Sequence, residues 1–428
     1  MRRYIKFVVI FLFLSFFVRK LYAQDGTIFV LRVEGAITPV TANFISYGLN
    51  YASEKKGKAV IIELDTPGGL VESTREIVKG ILQSEIPVIV YVSPQGARAA
   101  SAGVFILLAS HLAAMAPSTN VGAAHPVELS GKADPKMMEK IANDLAAWAK
   151  NLAETRGRNT EFAELAVKKS KSITEKEALA QKVIEIIAID LKDLVSQAHG
   201  KKVKVRNTEV VLSLKDASIE YIKEDFKTRF FKILANPNLV YFLLMLGLLG
   251  MYFELSHPGT IFPGVLGAIC LILAFLGLSI LPMSYAGLAL ILLSGLLFFL
   301  ETQVTSHGLL TIAGIICLLL GSIILFGNNP PALKVYTPFL YTVVIIFTLL
   351  FGAITYFVIK TVKKKPVTGS EELIGLEGKA LTDITAEGGK VFIHGEIWQA
   401  FSDELIPKDS NIKVLEKKGF FLKVKKIS

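Results

Sequence analysis

KAVIIELDTPGG, residues 58–69, is an apolar run of strand length that stops at Pro-Gly-Gly. A run this evenly apolar and rich in β-branched residues suits a strand buried on both faces, as the strands of a parallel sheet are. TIFVLRVEG (27–35) and PVIVYVSP (87–94) repeat the pattern at similar spacing, each closed by glycine or proline. Segments 39–56 and 70–84 between them carry the helical period. Strand, helix, strand repetition implies right-handed crossovers and a largely parallel sheet, with the chemistry gathered in loops beyond the strand ends. Residues 27–230 therefore read as an α/β domain.

The whole chain has 428 residues, 52% of them hydrophobic. That is too long for one typical domain and too apolar for a soluble one, so membrane spans are expected. Cys270 and Cys317 both fall inside long apolar runs, which excludes a disulfide framework or a cysteine metal site. The formal charge of +10 is spread along the chain and crowds the ends of apolar segments, where anionic lipid is the nearer counterion than nucleic acid. At the N-terminus a basic start precedes twelve apolar or small residues, Phe7 to Val18, and then Ala23. Residues 1–23 thus read as a secretory signal peptide with cleavage after Ala23, although Arg19 and Lys20 sit unusually close to the cleavage site.

From residue 236 to 360 the texture is that of a membrane domain. Apolar runs at about 239–253, 261–281, 285–300, 309–326 and 339–359 read as five spans, the nearest rival count being four. The basic KTVKKK, Lys360 to Lys365, places the end of the last span in the cytoplasm, and an odd number of spans then puts the α/β domain outside. Lys223, Lys227, Arg229 and Lys232 before the first span run against that charge rule. An internal repeat is visible: ELSHPGTIFPGVLGAICLIL from Glu254 and ETQVTSHGLLTIAGIICLLL from Glu301. The preferred reading is that both glutamates cap helices at the interface while the glycines permit close helix packing. Residues 366–428 turn to short alternating strands with glycine turns, which suits a small closed barrel of the OB type. They show no aromatic platform for stacking bases, so an assembly or regulatory role fits better than nucleic-acid binding.

The decapeptide GARAASAGVF, 96–105, sets one serine among small residues just after a strand and before a helical apolar run. At such a turn Ser101 stands where a helix N-terminus offers free N–H groups. The loop DTPGG, about one strand upstream, leaves the N–H groups of Gly68 and Gly69 unencumbered by side chains. Together they could form a nucleophile with an oxyanion hole. The base stays open between His125 in VGAAHPV, which would need an orienting carboxylate, and a lysine whose pKa is lowered by burial. In the helical segment 139–159, Lys140 and Lys150 are the candidates. Lys150 has Glu154 one turn on and reads as an exposed pair. Thr174 and Glu177 read as a capping box.

LDTPGG, AASAG, VGAAHPV, EKIANDLAAWAKNLAETRGRN and ITEKEALAQKVIEIIA, in that order, resemble the long form of the NfeD family. These are membrane-bound serine peptidases with a Clp protease and crotonase type of fold, and the resemblance runs from about residue 27 to the C-terminus. It implies a Clp/crotonase-like domain over residues 24–230, followed by the multi-span domain and the barrel. It also implies a Ser-Lys dyad in which Ser101 is the nucleophile and Lys140 the base, with Gly69 and Ala102 supplying the oxyanion N–H groups. The Clp-type aspartate would fall at about Ser170, with no acid adjacent, so His125 is expected to be a wall or substrate-positioning residue. Leu70, Val104 and Phe105, with Gly68, are expected to line an apolar cleft beside Ser101.

The expected function is that of a membrane-anchored serine endopeptidase cleaving apolar segments, with a stomatin-like membrane protein as partner, no cofactor or metal, and a homo-oligomeric state. Two other classes compete. One is a non-catalytic scaffold for stomatin-like proteins. The other is crotonase-type acyl-CoA chemistry, against which the extracytoplasmic placement and the lack of nucleotide-binding features speak.

Overall fold

The computed structural model describes residues 26–126, 135–259, 261–304, 306–327, 329, 333–362 and 373–427. The proposed signal peptide, residues 1–23, and Lys363 to Lys365 of the basic run lie outside the described residues. In the first domain β1 (Thr27–Glu34), α1 (Pro39–Glu54), β2 (Ala59–Asp65), α2 (Val71–Gln83) and β3 (Val88–Val92) follow as the apolar runs predict. They lead into β4 (Arg98–Ala99), α3 (Ala102–Ala109), β5 (Leu112–Met115), β6 (Asn120–Gly122), α4 (Pro135–Thr155) and α5 (Thr160–Lys168). After these come β7 (Ser172–Thr174), α6 (Glu175–Ala180), β8 (Ile186–Ile187) and α7 (Leu191–Ala198). The domain closes with the hairpin β9 (Lys202–Val205) and β10 (Thr208–Val211), then β11 (Ser218–Tyr221).

The main sheet has six strands in the order β11-β1-β2-β3-β5-β8, every pair parallel. Side chains alternate along each strand, so the sheet faces two separate cores. Val60, Ile62 and Leu64 point to the face covered by α1 to α4, while Ile28, Ile61, Ile89 and Tyr91 point to the face covered by α7 and the β9–β10 hairpin. Each such Val or Ile buried at zero exposure contributes roughly 2 kcal/mol. A smaller sheet, β4-β6-β7, branches off beyond the ends of β2 and β3. The capping box at the start of α6 is formed, Thr174 and Glu177 satisfying each other's backbone N–H groups.

A short helix, α8 (Phe226–Leu234), leads to α9 (Pro237–Ser256), α10 (Phe262–Ile280), α11 (Tyr285–Gln303), α12 (Leu309–Gly327) and α13 (Thr337–Val362). Five of these, α9 to α13, have spans of 19 to 21 residues long and apolar enough to cross a bilayer. The closest-packed pairs are α9 with α10 and α11 with α12, the two copies of the sequence repeat. Glycine makes the contact: a Cβ on Gly267 would lie 2.8 Å from the Met251 nitrogen, and one on Gly321 would lie 2.9 Å from the Gly287 carbonyl. Inside the bundle the Tyr241 hydroxyl pairs with the Ser322 hydroxyl at 2.8 Å, and Phe298 stacks on Phe351.

The C-terminal unit contains β12 (Glu377–Ala380), β13 (Gly389–Ile393), β14 (Glu396–Phe401), β15 (Asn411–Lys418) and β16 (Phe421–Lys426). They close into a barrel in the order β12-β13-β14-β16-β15, with β14 and β16 parallel. That strand order is the OB arrangement read from the sequence. Ala380, Val391, Ile393, Ala400, Ile412 and Leu422 fill its interior.

Candidate active site

Ser101 caps α3 at the junction with β4, with φ 50° and ψ −108°. A non-glycine residue in this left-handed region is strained by about 1–3 kcal/mol and persists only where its surroundings hold it. Here the Ser101 N–H donates to the Ala123 carbonyl at 2.7 Å, and Ala100 donates to the Thr66 carbonyl at 3.1 Å. Across from the serine lies Gly68, itself at φ +115°, where an added Cβ would come within 2.5 Å of the Ser101 Cβ and 3.0 Å of its Oγ. Only a glycine leaves the hydroxyl this room.

Gly69 is held from the opposite side. The Ile37 N–H donates to the Gly68 carbonyl and the Leu70 N–H donates to the Ile37 carbonyl, both at 2.9 Å. In this parallel bridge the flanking residues make the bonds, so the Gly69 N–H points to the other edge, where β4 and Ser101 stand. Among the described residues it donates to nothing. The Ala102 N–H opens α3 and has no partner within its own helix. Gly68 differs from the sequence expectation, because its N–H is already given to the Thr66 hydroxyl at 3.0 Å. Thr66 is fully buried, and its hydroxyl donates back to the Gly68 carbonyl at 3.2 Å.

The C-terminal end of α3 is fixed as firmly. Arg158, 5% exposed, donates through Nη1 to the carbonyls of Leu107 and Leu108 and pairs with Glu185 at 2.8 Å. A guanidinium there satisfies terminal carbonyls and complements the helix dipole. Sequence reasoning missed Arg158, Thr66 and Ile37. The polar threonine between an apolar strand and Pro-Gly-Gly was a usable signal, whereas the part played by Ile37 is carried by its backbone and leaves no mark in the side chain.

The structure brings Ser101, Gly68, Gly69 and Ala102 together. Leu70 is half-buried at the head of α2. Val104 and Phe105 are corrected: the first is fully buried and the second stacks on Trp148 at 4.5 Å, so both pack in the core instead of walling a cleft. Lys140 is exposed on α4, and no hydrogen bond joins it to Ser101 in this structure. Lys150 is exposed as read, without an ion pair to Glu154. His125 is exposed, with Nδ1 2.7 Å from the Val167 carbonyl. In place of the missing carboxylate, a backbone carbonyl orients this ring; when Nδ1 carries the proton, Nε2 is left as an acceptor. Among the described residues no group of three or more His, Cys, Asp or Glu side chains is placed to hold a metal ion.

Comparison with known proteins covers the whole chain. The N-terminal domain of NfeD1b matches residues 27–222, the NfeD integral membrane domain matches 238–359, and the NfeD-like C-terminal, partner-binding domain matches 370–426. A membrane-bound protease of Pyrococcus horikoshii is 36% identical, over 99% of this chain and 97% of its own length. The membrane protein NfeD1b of Bacillus subtilis is 25% identical, over 95% of this chain and 94% of its own. Among solved structures, a lysine-to-alanine mutant of a membrane-bound stomatin-specific protease in complex with a substrate peptide is 37% identical; the match covers 49% of this chain and 98% of that one, with a TM-score of 0.47. A serine-to-alanine mutant of the same kind of protease is 38% identical over 47% of this chain and 100% of that one, with a TM-score of 0.45. With all three domains matched in order and a relative aligned nearly end to end, the chain is a multi-pass membrane protein that belongs to the NfeD family, in its long form.

Proposed function

We propose that this chain is a membrane-anchored serine endopeptidase with Ser101 as nucleophile and Lys140 as general base. Kinship with a membrane-bound protease at 36% identity over nearly the whole chain supports a peptidase. The observation that carries the assignment to Ser101 is its strained backbone, with Gly68 clearing space for the hydroxyl and the unspent Gly69 N–H on the facing edge. Ser101 Oγ attacks the peptide carbonyl while its proton passes to Lys140. The Gly69 and Ala102 N–H groups hold the developing oxyanion. Lys140 then returns the proton to the leaving amine, and water releases the acyl group from Ser101 by the same route in reverse.

This reading requires Lys140, exposed at the N-terminal part of α4, to be brought to Ser101 when substrate is bound. Catalytic hydrogen bonds that tighten only in the substrate complex are common. His125 serves as a substrate-positioning wall. Relatives described as stomatin-specific, one of them in complex with a substrate peptide, support a stomatin-like membrane protein as partner and a peptide as substrate; that the peptide is apolar follows from the family resemblance alone. The enzyme works as a homo-oligomer with its α/β domain outside the cell and its barrel in the cytoplasm, five spans separating them.

A scaffold reading draws support from the partner-binding description of the C-terminal domain. The deciding experiment uses the full chain in bilayer discs with an apolar peptide and an acylating probe, comparing wild type with Ser101→Ala, Lys140→Ala, Lys150→Ala and His125→Ala. Cleavage that needs Ser101 and Lys140 and survives the other two changes is expected. A wild type that neither cleaves nor takes the probe at Ser101 leaves the scaffold reading in its place.

A further inference from the structure

A cavity of about 640 Å³ lies between the α/β domain and the membrane helices, away from Ser101. Its walls come from the start of α1 (Pro39, Val40, Phe44), from Lys223 before α8 and Lys227 and Phe231 within it, and from Ser279 and Ile280, the last residues of α10. A cavity walled by the end of a span sits at headgroup depth. Helix α8 fits that level: Phe226 and Ile233, seven residues apart and so on one face, are 85% and 56% exposed, and Lys227, Arg229 and Lys232 are interspersed with its apolar residues. An apolar stripe with a basic remainder is the composition of a helix lying in the interface.

The charges lining the cavity are not all free. Asp225 Oδ1 accepts from the Thr228 N–H at 2.9 Å as the cap of α8, and next to the cavity Lys232 is paired with Glu224 at 2.7 Å. Lys223 and Lys227 are exposed and make neither ion pair nor hydrogen bond among the described residues. Two ammonium groups without an ion pair, Lys227 within electrostatic reach of Asp225, together with the apolar Val40, Phe44, Phe231 and Ile280 match a lipid phosphate joined to an acyl chain.

We propose that this cavity binds one anionic glycerophospholipid, its phosphate between Lys223 and Lys227 and the first part of one chain along Phe44, Phe231 and Ile280. The volume falls within the range of ligand sites, about 300–1,000 Å³, and the remaining chain runs on into the bilayer. The lysines select net negative charge, and Asp225 limits the selection.

The test reconstitutes the full chain in phosphatidylcholine vesicles with a trace of spin-labelled phosphatidylglycerol or spin-labelled phosphatidylcholine, and reads the motionally restricted fraction of each. A preference of about tenfold for the anionic label is expected, since each lysine near a headgroup contributes roughly a fivefold gain and Asp225 opposes them. The double change Lys223→Gln with Lys227→Gln removes the preference, and Val40→Trp, which fills the cavity, removes the restricted anionic label while leaving both lysines in place. These are surface and half-exposed positions, and a thermal melt identical to wild type confirms the fold. Equal restriction of the two labels in wild type, a preference that both variants keep, or displacement of the label by an apolar peptide would each overturn the proposal. None of these readings depends on peptide cleavage.

Discussion

Around Ser101 and between the membrane helices, two backbones must approach closer than a side chain allows, and glycine makes room in both. In the first region Gly69 is pressed against the backbone of Ile37, and Gly68 against Ser101. In the second, Gly267 is pressed against Met251 and Gly247, and Gly321 against Ile291 and Gly287. The membrane glycines close a surface, so that two helices touch along their length. The glycines near the serine open one, because the bridge to Ile37 turns the Gly69 N–H away from its clamp and leaves it unspent. The same missing methyl therefore serves assembly in one place and reactivity in the other.

Putting the methyl back should separate the two. Gly69→Ala would seat a Cβ on the Ile37 carbonyl and displace the N–H proposed to hold the oxyanion. We expect peptide cleavage to fall by about 100-fold or more with the circular dichroism of the chain unchanged, the usual loss for one oxyanion donor. Gly267→Val should do the opposite. Overpacking of the α9–α10 contact costs about 1–3 kcal/mol, read as a lowered midpoint of unfolding in detergent with Ser101 still open to an acylating probe. If Gly267→Val lost reactivity before stability, the division of labour would be wrong.

The two hairpins are themselves unequal, and a pair of substitutions measures by how much. Glu301 accepts from the Ser306 hydroxyl at 2.6 Å and from the N–H groups of Gly308 and Thr311, so it caps α12 as the sequence suggested. Glu254, its counterpart in the first repeat, keeps a buried Oε2 with no partner among the described residues and does not repeat that cap. Glu301→Gln should cost about 1.5–3 kcal/mol of stability in detergent, the value of hydrogen bonds to a charged group, and Glu254→Gln should cost clearly less. Equal losses would show that the repeats are equivalent after all.

Acid should act on the α/β domain. His111 is buried with Nδ1 accepting from the Val88 N–H, and burial, followed by the nearby Arg156 and Arg158, pushes its pKa down to about 3. The unfolded chain takes up this proton near pH 6.5 and the folded domain does not, so stability is untouched above that pH and falls as pH drops toward 3. The slope should be about 1 kcal/mol per pH unit, and His111→Gln should flatten it in urea titrations followed by Trp148 fluorescence.

Much of this architecture is legible in sequence because burial on all sides leaves a continuous signal. β1, β2, β3 and the five spans are dominated by apolar residues, and a run of that kind has few alternatives. The same uniformity misleads at α3. AGVFILLA is apolar on every side, and a helix of that kind is enclosed, which is why Val104 and Phe105 pack inward and do not face a cleft. Ser101 stands out through its small neighbours, while the restraints come from the carbonyl of Ala123, which holds the serine, and the backbone of Ile37, which holds the facing segment 68–70, groups every residue possesses. The edge strand β11 joins β1 from the far end of the domain, a pairing that no local pattern announces. Lys140 shows the limit from another side: the residues alone leave the base open between His125 and a lysine, and only the family resemblance points to Lys140.

The smallest expected effect concerns the serine's own backbone. Ser101→Gly relieves the left-handed conformation and should raise stability by about 0.5–1 kcal/mol in chemical denaturation while abolishing any acylation. That backbone also leaves a trace in descent. A lineage that kept the spans and the barrel but gave up cutting would no longer be held to a strained serine at this turn, and drift there toward glycine would be favoured. With Ser101 as the proposed nucleophile, the residue at this one position in a relative would separate members that still cut from those that only hold.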